Sequence, residues 1–349
     1  RTRPTTVLRQ EARKLALGCG ALAALTFFAG YQAWQTAETK SFINADEIYY
    51  QSYMTRVSGT YDQEAYQWLQ EQSEEFEPIR RLDRALQAGE ITPEEYQMQM
   101  GAYYGLAQKK QVFDRVVYGN LPYLQEHLGA QLVYESGWEK LFCFIGEGDL
   151  RDTLASGLLA SVCFAGLFAF EHRGGMKRVV MATPLGRRKT VSAKLLASGG
   201  AAALLWALVG LPRLIVVLRD YGLPAPLAPA MSLSDYLRLP GWLPLAGVLA
   251  LAGIARLAAV LCMAAVTLWL SEALGSALSA MFLSALLFCL PPLLALSGLW
   301  QLRWVGMYPL FHLAELLRHP GDGVAGLILL ALAAAVCWLC ADRLRARWE

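Results

Sequence analysis

Long apolar runs alternate with polar segments along the chain, and their lengths are typical of membrane-spanning helices. Six such runs occur, at residues 15–34, 153–170, 195–218, 242–270, 273–298 and 323–341. Most of these runs are close to the roughly 20 residues that a helix needs to cross a bilayer. A helix is expected in each, because hydrocarbon offers the backbone no hydrogen-bond partner. The pattern therefore predicts an all-α polytopic membrane protein with six transmembrane helices.

The longest polar segment, residues 37–148, has the apolar periodicity of amphipathic helices. One helix is expected to begin at Thr92, with Pro93 in its first turn and Glu95 completing a capping box, and to end at Gly119. The segment contains eighteen Asp and Glu residues against nine Lys and Arg, so its net charge is 9 − 18 = −9. These features predict an acidic helical domain between the first two transmembrane helices.

The distribution of Lys and Arg predicts how the chain is oriented. Residues 1–14 contain five of them, residues 171–194 contain seven and residues 342–349 contain three, which gives fifteen on one side. The short loops expected on the other side, 219–241 and 299–322, contain two each. Since cytoplasmic loops are enriched in Lys and Arg, both termini and loop 171–194 are expected in the cytoplasm, with residues 37–148 outside.

Three regions follow from this plan. They are a cytoplasmic segment with the first transmembrane helix (1–36), the acidic extracytoplasmic domain (37–148), and transmembrane helices 2–6 with the cytoplasmic loop 171–194 (149–349).

Motifs for catalysis or metal binding give little support to an enzyme. The sequence contains neither the phosphate-binding GxxxxGK[ST] motif nor the zinc-binding HExxH motif. The CxxC spacing of Cys337 and Cys340 lies in an apolar run, where two small helical residues are the better interpretation. The GxGD string at 146–149 has no second aspartate opposed to it within the membrane. No catalytic, cofactor-binding or metal-binding residue is therefore assigned.

Two charged residues lie in or beside apolar runs. Arg256 falls near the middle of the fourth run, where an arginine costs at least about 2.5 kcal/mol in hydrocarbon. It is expected to line a substrate path or a subunit interface; alternatively, the run is drawn too long, and Arg256 snorkels to the membrane surface or lies in a bent, re-entrant segment. Glu272 lies in a short turn between two runs and is expected to be solvated.

The loop between the second and third runs contains residues that an orientation signal does not require. The stretch FEHRGGMKRVVMATPLGRRKTVSAKL, residues 170–195, combines its basic residues with Glu171, paired glycines and a Thr-Pro. It resembles the permease subunits of type-2 ABC exporters, the ABC-2 family. In that family a glutamate, a glycine, a short apolar stretch, T-P-x-x-R and a lysine follow in this order. The matching positions are Glu171, Gly175, Val179 to Met181, Thr183, Pro184, Arg187 and Lys194.

The resemblance implies a division of labour between chains. Two permease subunits, identical or different, would pair in the bacterial cytoplasmic membrane, and cytoplasmic ABC ATPase subunits would bind beneath them with ATP and Mg. This chain would carry no cofactor, would contact membrane lipid and would not bind nucleic acid. The loop would couple the ATPase to transport through nine residues: Glu171, Gly175, Met176, Val180, Thr183, Pro184, Arg187, Arg188 and Lys194.

The expected function is that of a permease subunit that exports a substrate with energy from a separate ATPase. The alternative is a membrane-anchored sensor or assembly protein, whose acidic domain binds a partner without transport. Purification together with an ATPase would distinguish the two.

Overall fold

The computed structural model describes residues 4–39, 43–59, 62–142, 148–172, 175–182 and 187–348, and within these ranges the chain is helical, with no β-strand. The α-helices, in chain order, are α1 (Pro4–Arg13), α2 (Ala21–Glu38), α3 (Ala45–Val57), α4 (Gln63–Glu74), α5 (Glu77–Gln87), α6 (Pro93–Ala102), α7 (Tyr104–Arg115), α8 (Leu121–Glu126), α9 (Ser136–Phe142), α10 (Gly148–Phe164), α11 (Gly166–His172), α12 (Met176–Ala182), α13 (Arg188–Asp220), α14 (Leu245–Leu274), α15 (Ala277–Leu296), α16 (Tyr308–Phe311), α17 (Leu313–Leu316) and α18 (Pro320–Ala346). Short π- or 3-10 turns lie at Lys14–Gly18, Val116–Asn120, Ala230–Ser232, Ser234–Tyr236 and Trp300–Trp304.

The chain divides into two compact units. One, the span unit, is made of Arg1–Thr39, Glu139–Arg219 and Val248–Glu349. The other, the inserted unit, is made of Lys40–Trp138 and Asp220–Gly247. Both units are discontinuous in sequence, so each depends on contacts between distant parts of the chain.

The span unit contains long apolar helices of the kind that cross membranes. Among the described residues, five helical segments are long and apolar enough to cross a membrane: Leu150–His172, Arg188–Asp220, Leu245–Leu274, Ala277–Leu296 and Pro320–Ala346. A bent pair, Val7–Gly18 and Ala21–Glu38, makes a sixth if it is counted as one span. The all-helical fold is thus confirmed, and the number of spans is five or six.

The first span, predicted as a helix over residues 15–34, is broken in the structure. The two halves of the bent pair meet at 63° around a break at Cys19 and Gly20. Gly20 has a φ of +74°, a left-handed conformation that favours glycine, and the preceding turn, Lys14–Gly18, is a π-helix. The apolar run continues through this break, which is why hydropathy alone predicted a single helix.

A proline inside α13 is compensated by a side chain from α2. Pro212 has no N–H, so the carbonyl of Leu208, four residues earlier, loses its helical donor. The buried Gln32 donates from Nε2 to that carbonyl at 3.4 Å. At the end of the same helix, Arg219 donates to the carbonyls of Thr36 and Thr39, the last turn of α2. These bonds attach α2 to α13 where apolar contacts alone would leave the register unspecified.

Helices α10 and α15 pack closely at Gly157. A Cβ added at this glycine would lie 2.9 Å from Cβ of Phe288 and 3.3 Å from Sγ of Cys289. Ser156 and Ala160, on the adjacent turn, are fully buried. Small residues allow helices in a membrane to approach closely and gain van der Waals contact.

We predict that Gly157→Val lowers the thermal unfolding midpoint of the purified protein, because overpacking a close contact costs about 1–3 kcal/mol. Gly199→Val is the matched control, since a Cβ at Gly199 meets nothing within 4 Å. Unfolding followed by tryptophan fluorescence in detergent measures both. Equal midpoints for the two variants would contradict the close packing of α10 on α15.

The inserted unit is built from the predicted amphipathic helices. Its core contains Tyr53, Phe76 and Phe113, with Phe113 5.1 Å from Phe76 and 5.8 Å from Tyr53 between ring centroids. The predicted capping box of α6 is confirmed: the Thr92 side chain accepts from the Glu95 N–H, and the Glu95 carboxylate accepts from the Thr92 N–H. These backbone and side-chain bonds lower the pKa of Glu95.

The predicted end of a helix at Gly119 is wrong. Residues Val116–Asn120 form a π-helical turn that leads directly into α8. Asn120, at the end of this turn, donates to the Tyr50 hydroxyl at 2.7 Å, and that hydroxyl donates to Glu135 at 2.6 Å. Arg115 completes the cluster, 2.9 Å from Glu135 and above the Tyr50 ring. The extra residue of the π-turn keeps the helix continuous while Asn120 reaches the core.

Residues 220–247 complete the inserted unit. Tyr221 lies in its core, and Gln51 donates from Nε2 to the Tyr221 carbonyl at 3.1 Å. Tyr123 donates to the Met231 carbonyl at 2.6 Å, and Trp138 donates to the Pro224 carbonyl at 3.1 Å. The connection between α13 and α14 is therefore a structural part of this unit.

Candidate functional site

The loop that carries the family-like motif begins at a broken helix. The helical ladder is interrupted at Ala165, between α10 and α11, by the side chain of Ser271 on α14. Ser271 donates to the Ala165 carbonyl at 2.6 Å and accepts from the N–H of Ala169 at 2.9 Å and of Phe168 at 3.3 Å. A side chain that inserts in this way is an established cause of helix kinks. The break sets the direction of α11, which ends at Glu171 and His172.

Lys194 is the centre of the site. It lies in the second turn of α13 and is fully buried, with Nζ 2.8 Å from Oε1 of Glu171 and 3.0 Å from Oε2 of Glu11. Nζ also donates to the Leu167 carbonyl at 3.0 Å and lies 5.0 Å from the centre of the Phe168 ring. Three oxygens thus surround an ammonium that has three N–H groups. Two residues of the motif, Glu171 and Lys194, meet directly although 22 residues separate them in sequence.

A second lysine balances the charges of this cluster. Lys14, in the π-turn after α1, is 2.8 Å from Glu11 and 3.2 Å from Glu171. Both carboxylates are buried, whereas Lys14 is half exposed. Two lysines therefore face two glutamates, and we call these four residues the Lys194 cluster. It joins the N-terminal helices to both ends of loop 171–194.

We predict that Lys194→Met destabilises the span unit by about 3–5 kcal/mol, the usual cost of removing one partner from a buried ion pair. The change leaves Glu11 and Glu171 buried near one remaining cation. Lys189→Met is the control, because Lys189 is an exposed lysine on the same helix. Thermal unfolding in detergent compares the two variants. A Lys194→Met midpoint as high as that of Lys189→Met would show that the cluster contributes nothing to stability.

A second ion cluster holds α12. Glu272, near the end of α14, is buried, with only 2% of its side chain exposed, and pairs with Lys177 through Oε1. Its Oε2 lies 3.0 Å from Nε2 of His172. Nζ of Lys177 lies 5.2 Å from the Trp348 ring, which packs edge-on against Phe168. The expectation that Glu272 is solvated in a turn is therefore wrong: α14 extends to Leu274, and the carboxylate contacts Lys177 and His172.

The exposed face of α12 is apolar and basic. None of its seven residues is buried; Met176 is 54% exposed and Val179 is 67% exposed, while Val180 is half-buried. Gly175, just before the helix, has a φ of +72°, which a side chain disfavours although a Cβ there would meet nothing within 4 Å. The helix thus presents the exposed apolar side chains of Met176 and Val179, between Glu171 and Lys194, which buried ion pairs hold in place.

The remaining predicted residues lie apart from the clusters. Arg187 is exposed and donates from Nε to the Met181 carbonyl at 3.4 Å, and Arg188 is the exposed first residue of α13. Thr183 and Pro184 lie outside the described residues. Arg256 is twelfth in the continuous helix α14 and donates from Nε to the Phe311 carbonyl at 3.0 Å, so the structure does not bring it to the loop.

Five residues of these clusters had no assignment from the sequence: Glu11, Lys14, His172, Lys177 and Trp348. A charge next to an apolar run was the available signal, since ionisable groups at membrane depth are costly unless paired. The clusters contain no nucleophile with an adjacent base, and among the described residues no three His, Cys, Asp or Glu side chains are grouped to bind a metal ion. Their arrangement is suited to holding helices in a fixed geometry.

We predict that Ser271→Ala lowers stability by about 1–3 kcal/mol, because it leaves the Ala165 carbonyl and two N–H groups without their partner. Thr267→Val is the control: Thr267 is equally buried on α14, but its hydroxyl donates only to Met263, within its own helix. The difference in thermal midpoint between the variants measures the bridging bonds. If Thr267→Val is as harmful as Ser271→Ala, the serine does not hold the break.

No protein-family model, curated protein or solved structure matches this chain. The site therefore has to be interpreted from its own geometry and from the resemblance of its loop.

Proposed function

We propose that this chain is the permease subunit of an ABC transporter, which exports a substrate with energy from a separate ATPase. The proposal is based on helix α12, which exposes Met176 and Val179 to solvent. Ion pairs hold Glu171 before this helix, Lys177 within it and Lys194 after it. A docking element that transmits force needs both properties. An exposed apolar face gives a partner something to bury, and rigid attachment converts the partner's movement into movement of the helices.

The attachment identifies which helices would move. Glu171 and Lys194 connect the loop to Glu11 on α1, and Lys177 connects α12 to Glu272 on α14. A push on α12 would thus reach the N-terminal helices and the α14–α15 turn together. Because buried ion pairs are costly to separate, these elements would move as one body.

The basic residues fit an acidic partner surface. Arg178, Arg187, Arg188 and Lys189 are exposed around α12 and the start of α13. In the proposed orientation they face the cytoplasm of a bacterial cell, together with both termini, and residues 37–148 lie outside. Two permease subunits, identical or different, would bind two ATPase subunits that hold ATP and Mg. The surface charge would favour association, and the apolar face would supply the affinity.

We predict that Val179→Asp abolishes recruitment of the ATPase, because it places an unpaired charge in the centre of the docking face. Leu128→Asp is the control: Leu128 is 93% exposed in the inserted unit, so the same charge should leave recruitment unchanged. Both variants are purified from the native cells, and ATP hydrolysis is measured per permease. The proposal expects hydrolysis to be lost by about tenfold or more only with Val179→Asp, since each 1.4 kcal/mol of lost affinity is tenfold.

A photo-crosslinking amino acid at position 179 or 128 identifies the partner directly. The position 179 product should contain a chain with the GxxxxGK[ST] motif, and the position 128 product should not. The same result tests the orientation, because this ATPase is cytoplasmic. Purified protein without associated ATPase, and no such chain crosslinked at 179, would reject the transporter and favour a membrane-anchored sensor or assembly protein.

A further inference from the structure

The inserted unit contains a cavity of about 470 Å³. This volume falls within the roughly 300–1,000 Å³ that is usual for small-molecule sites. One wall is α4, and the other is residues 113–125, which run from α7 through a π-turn into α8. Arg80 of α5 also lines the cavity. The whole lining belongs to the continuous part of the inserted unit, Lys40–Trp138.

The apolar lining of this cavity is partly buried and partly accessible. Leu69, Phe113 and Leu121 are at most 9% exposed and belong to the core of the unit. Two lining tyrosines are much more accessible, Tyr66 with 54% and Tyr118 with 74% of its surface exposed. A fixed apolar wall with aromatic side chains at its edges is suited to burying the apolar part of a ligand.

The π-turn Val116–Asn120 shapes one wall, because Val117 and Tyr118 of this turn both line the cavity. Asn120 reaches the core from the end of the turn and donates to the Tyr50 hydroxyl, whereas Tyr118 remains exposed. Single π-turns within α-helices are rare and frequently occur at functional sites. The irregular turn therefore leaves a large aromatic side chain accessible beside the cavity.

Arg80 is the only charged residue among the described residues that line the cavity. It is half-buried, and its guanidinium forms no hydrogen bond or ion pair with another described residue. The nearest carboxylates in sequence are engaged elsewhere: Glu77 pairs with Arg84, and Asp83 accepts from the Tyr96 hydroxyl at 2.8 Å.

The basic residues that follow Arg80 differ from it. Each Lys and Arg from residue 81 to residue 115 pairs with a carboxylate: Arg81, Arg84, Lys109, Lys110 and Arg115. An available cation thus lies at the cavity, in a segment, residues 37–148, whose net charge is 9 − 18 = −9.

The contacts around Phe76 place Arg80 towards one end of the cavity. The Arg80 N–H donates to the Phe76 carbonyl, and the Phe76 N–H donates to the Ser73 carbonyl at the end of α4. The Phe76 ring also lies 5.1 Å from the Phe113 ring, which begins the opposite wall. Tyr66 is seven residues before Ser73, about 10 Å along the helix axis. An elongated ligand can therefore have its charge near Arg80 and its apolar part near Tyr66.

We propose that this cavity binds a small organic carboxylate, with its apolar body between the two walls and its carboxylate at Arg80. Guanidinium groups bind carboxylate oxygens through charge-assisted and often bidentate hydrogen bonds. One cation in the lining matches one negative charge, which favours a carboxylate over a doubly charged phosphate. The apolar walls alone would accept a neutral compound of the same shape, so Arg80 supplies the selection for the acid.

The test uses the purified full-length chain in phosphatidylcholine nanodiscs at pH 7. The probe is 4-phenylbutyrate, and 4-phenylbutanamide is its neutral counterpart with the same apolar body. Saturation-transfer NMR titrations measure the affinity for each, and the signal from empty nanodiscs is subtracted because both compounds enter lipid. The parent protein should bind the acid saturably and roughly tenfold more tightly than the amide, as expected for a charge-assisted hydrogen bond. No saturable binding, or equal affinity for the two compounds, would overturn the proposal.

Two substitutions of similar size test the role of charge. Arg80→Gln should remove the preference for the acid, and Gln70→Glu should do the same by placing a competing carboxylate on the cavity wall. The controls are Arg81→Gln and Gln67→Glu, at exposed neighbouring positions that do not line the cavity. If both cavity variants keep the preference that the controls show, another group binds the carboxylate and the site is wrong.

A bulky substitution tests the space itself. Ser73→Trp should fill the end of the cavity near Arg80 and remove binding of both compounds, whereas Gln67→Trp, at an exposed position on the same helix, should not. Equal binding by these two variants would place the ligand elsewhere. If Ser73→Trp does not fold, the charge variants still decide the matter. None of these measurements requires an ATPase or a transported substrate, so the result is independent of the proposed function.

Discussion

A buried ammonium group is the constraint from which the arrangement around loop 171–194 follows. Lys194 has no access to water, and a lysine in that position is tolerated only with oxygen ligands and opposite charge around it. Glu11 and Glu171 supply the charge from two separate helices, and the Leu167 carbonyl supplies a third oxygen. The helices that carry these groups must therefore meet at one point. Next to this point the Lys177–Glu272 pair holds α12, and Met176 and Val179 remain exposed.

The succession of spans could be predicted from the sequence, because the length of an apolar run reports directly on its fit to a bilayer. The breaks within the helices could not. The interruption at Ala165 depends on Ser271, which bonds the Ala169 N–H from 102 residues away, and nothing in the local sequence indicates that contact. The bend at Gly20 lies inside a run that remains apolar throughout. Hydropathy measures the preference for lipid, and it does not measure helix direction.

The candidate site could be predicted only in part, for a related reason. Glu171 and Lys194 were identifiable because they belong to a recognisable order of residues. Glu272 was misjudged because a carboxylate at the edge of an apolar run has the same local sequence whether it is solvated or buried. What distinguishes the two states is the arrival of His172 and Lys177 from another part of the chain. Burial of a charge is a tertiary property, so it requires the fold.

Because the inserted unit is discontinuous in sequence, its fold can be completed only late in synthesis. Residues 40–138 emerge from the ribosome first, but Tyr221 of their core and the carbonyls of Pro224 and Met231 follow only after α13 has been made. From Glu139 to Gly247 the chain has 247 − 138 = 109 residues, which at 5–20 residues per second take roughly 5–20 s to synthesise. During that interval Tyr221 is missing from the core of the nascent unit, so its apolar surface is incomplete and is a binding site for a chaperone.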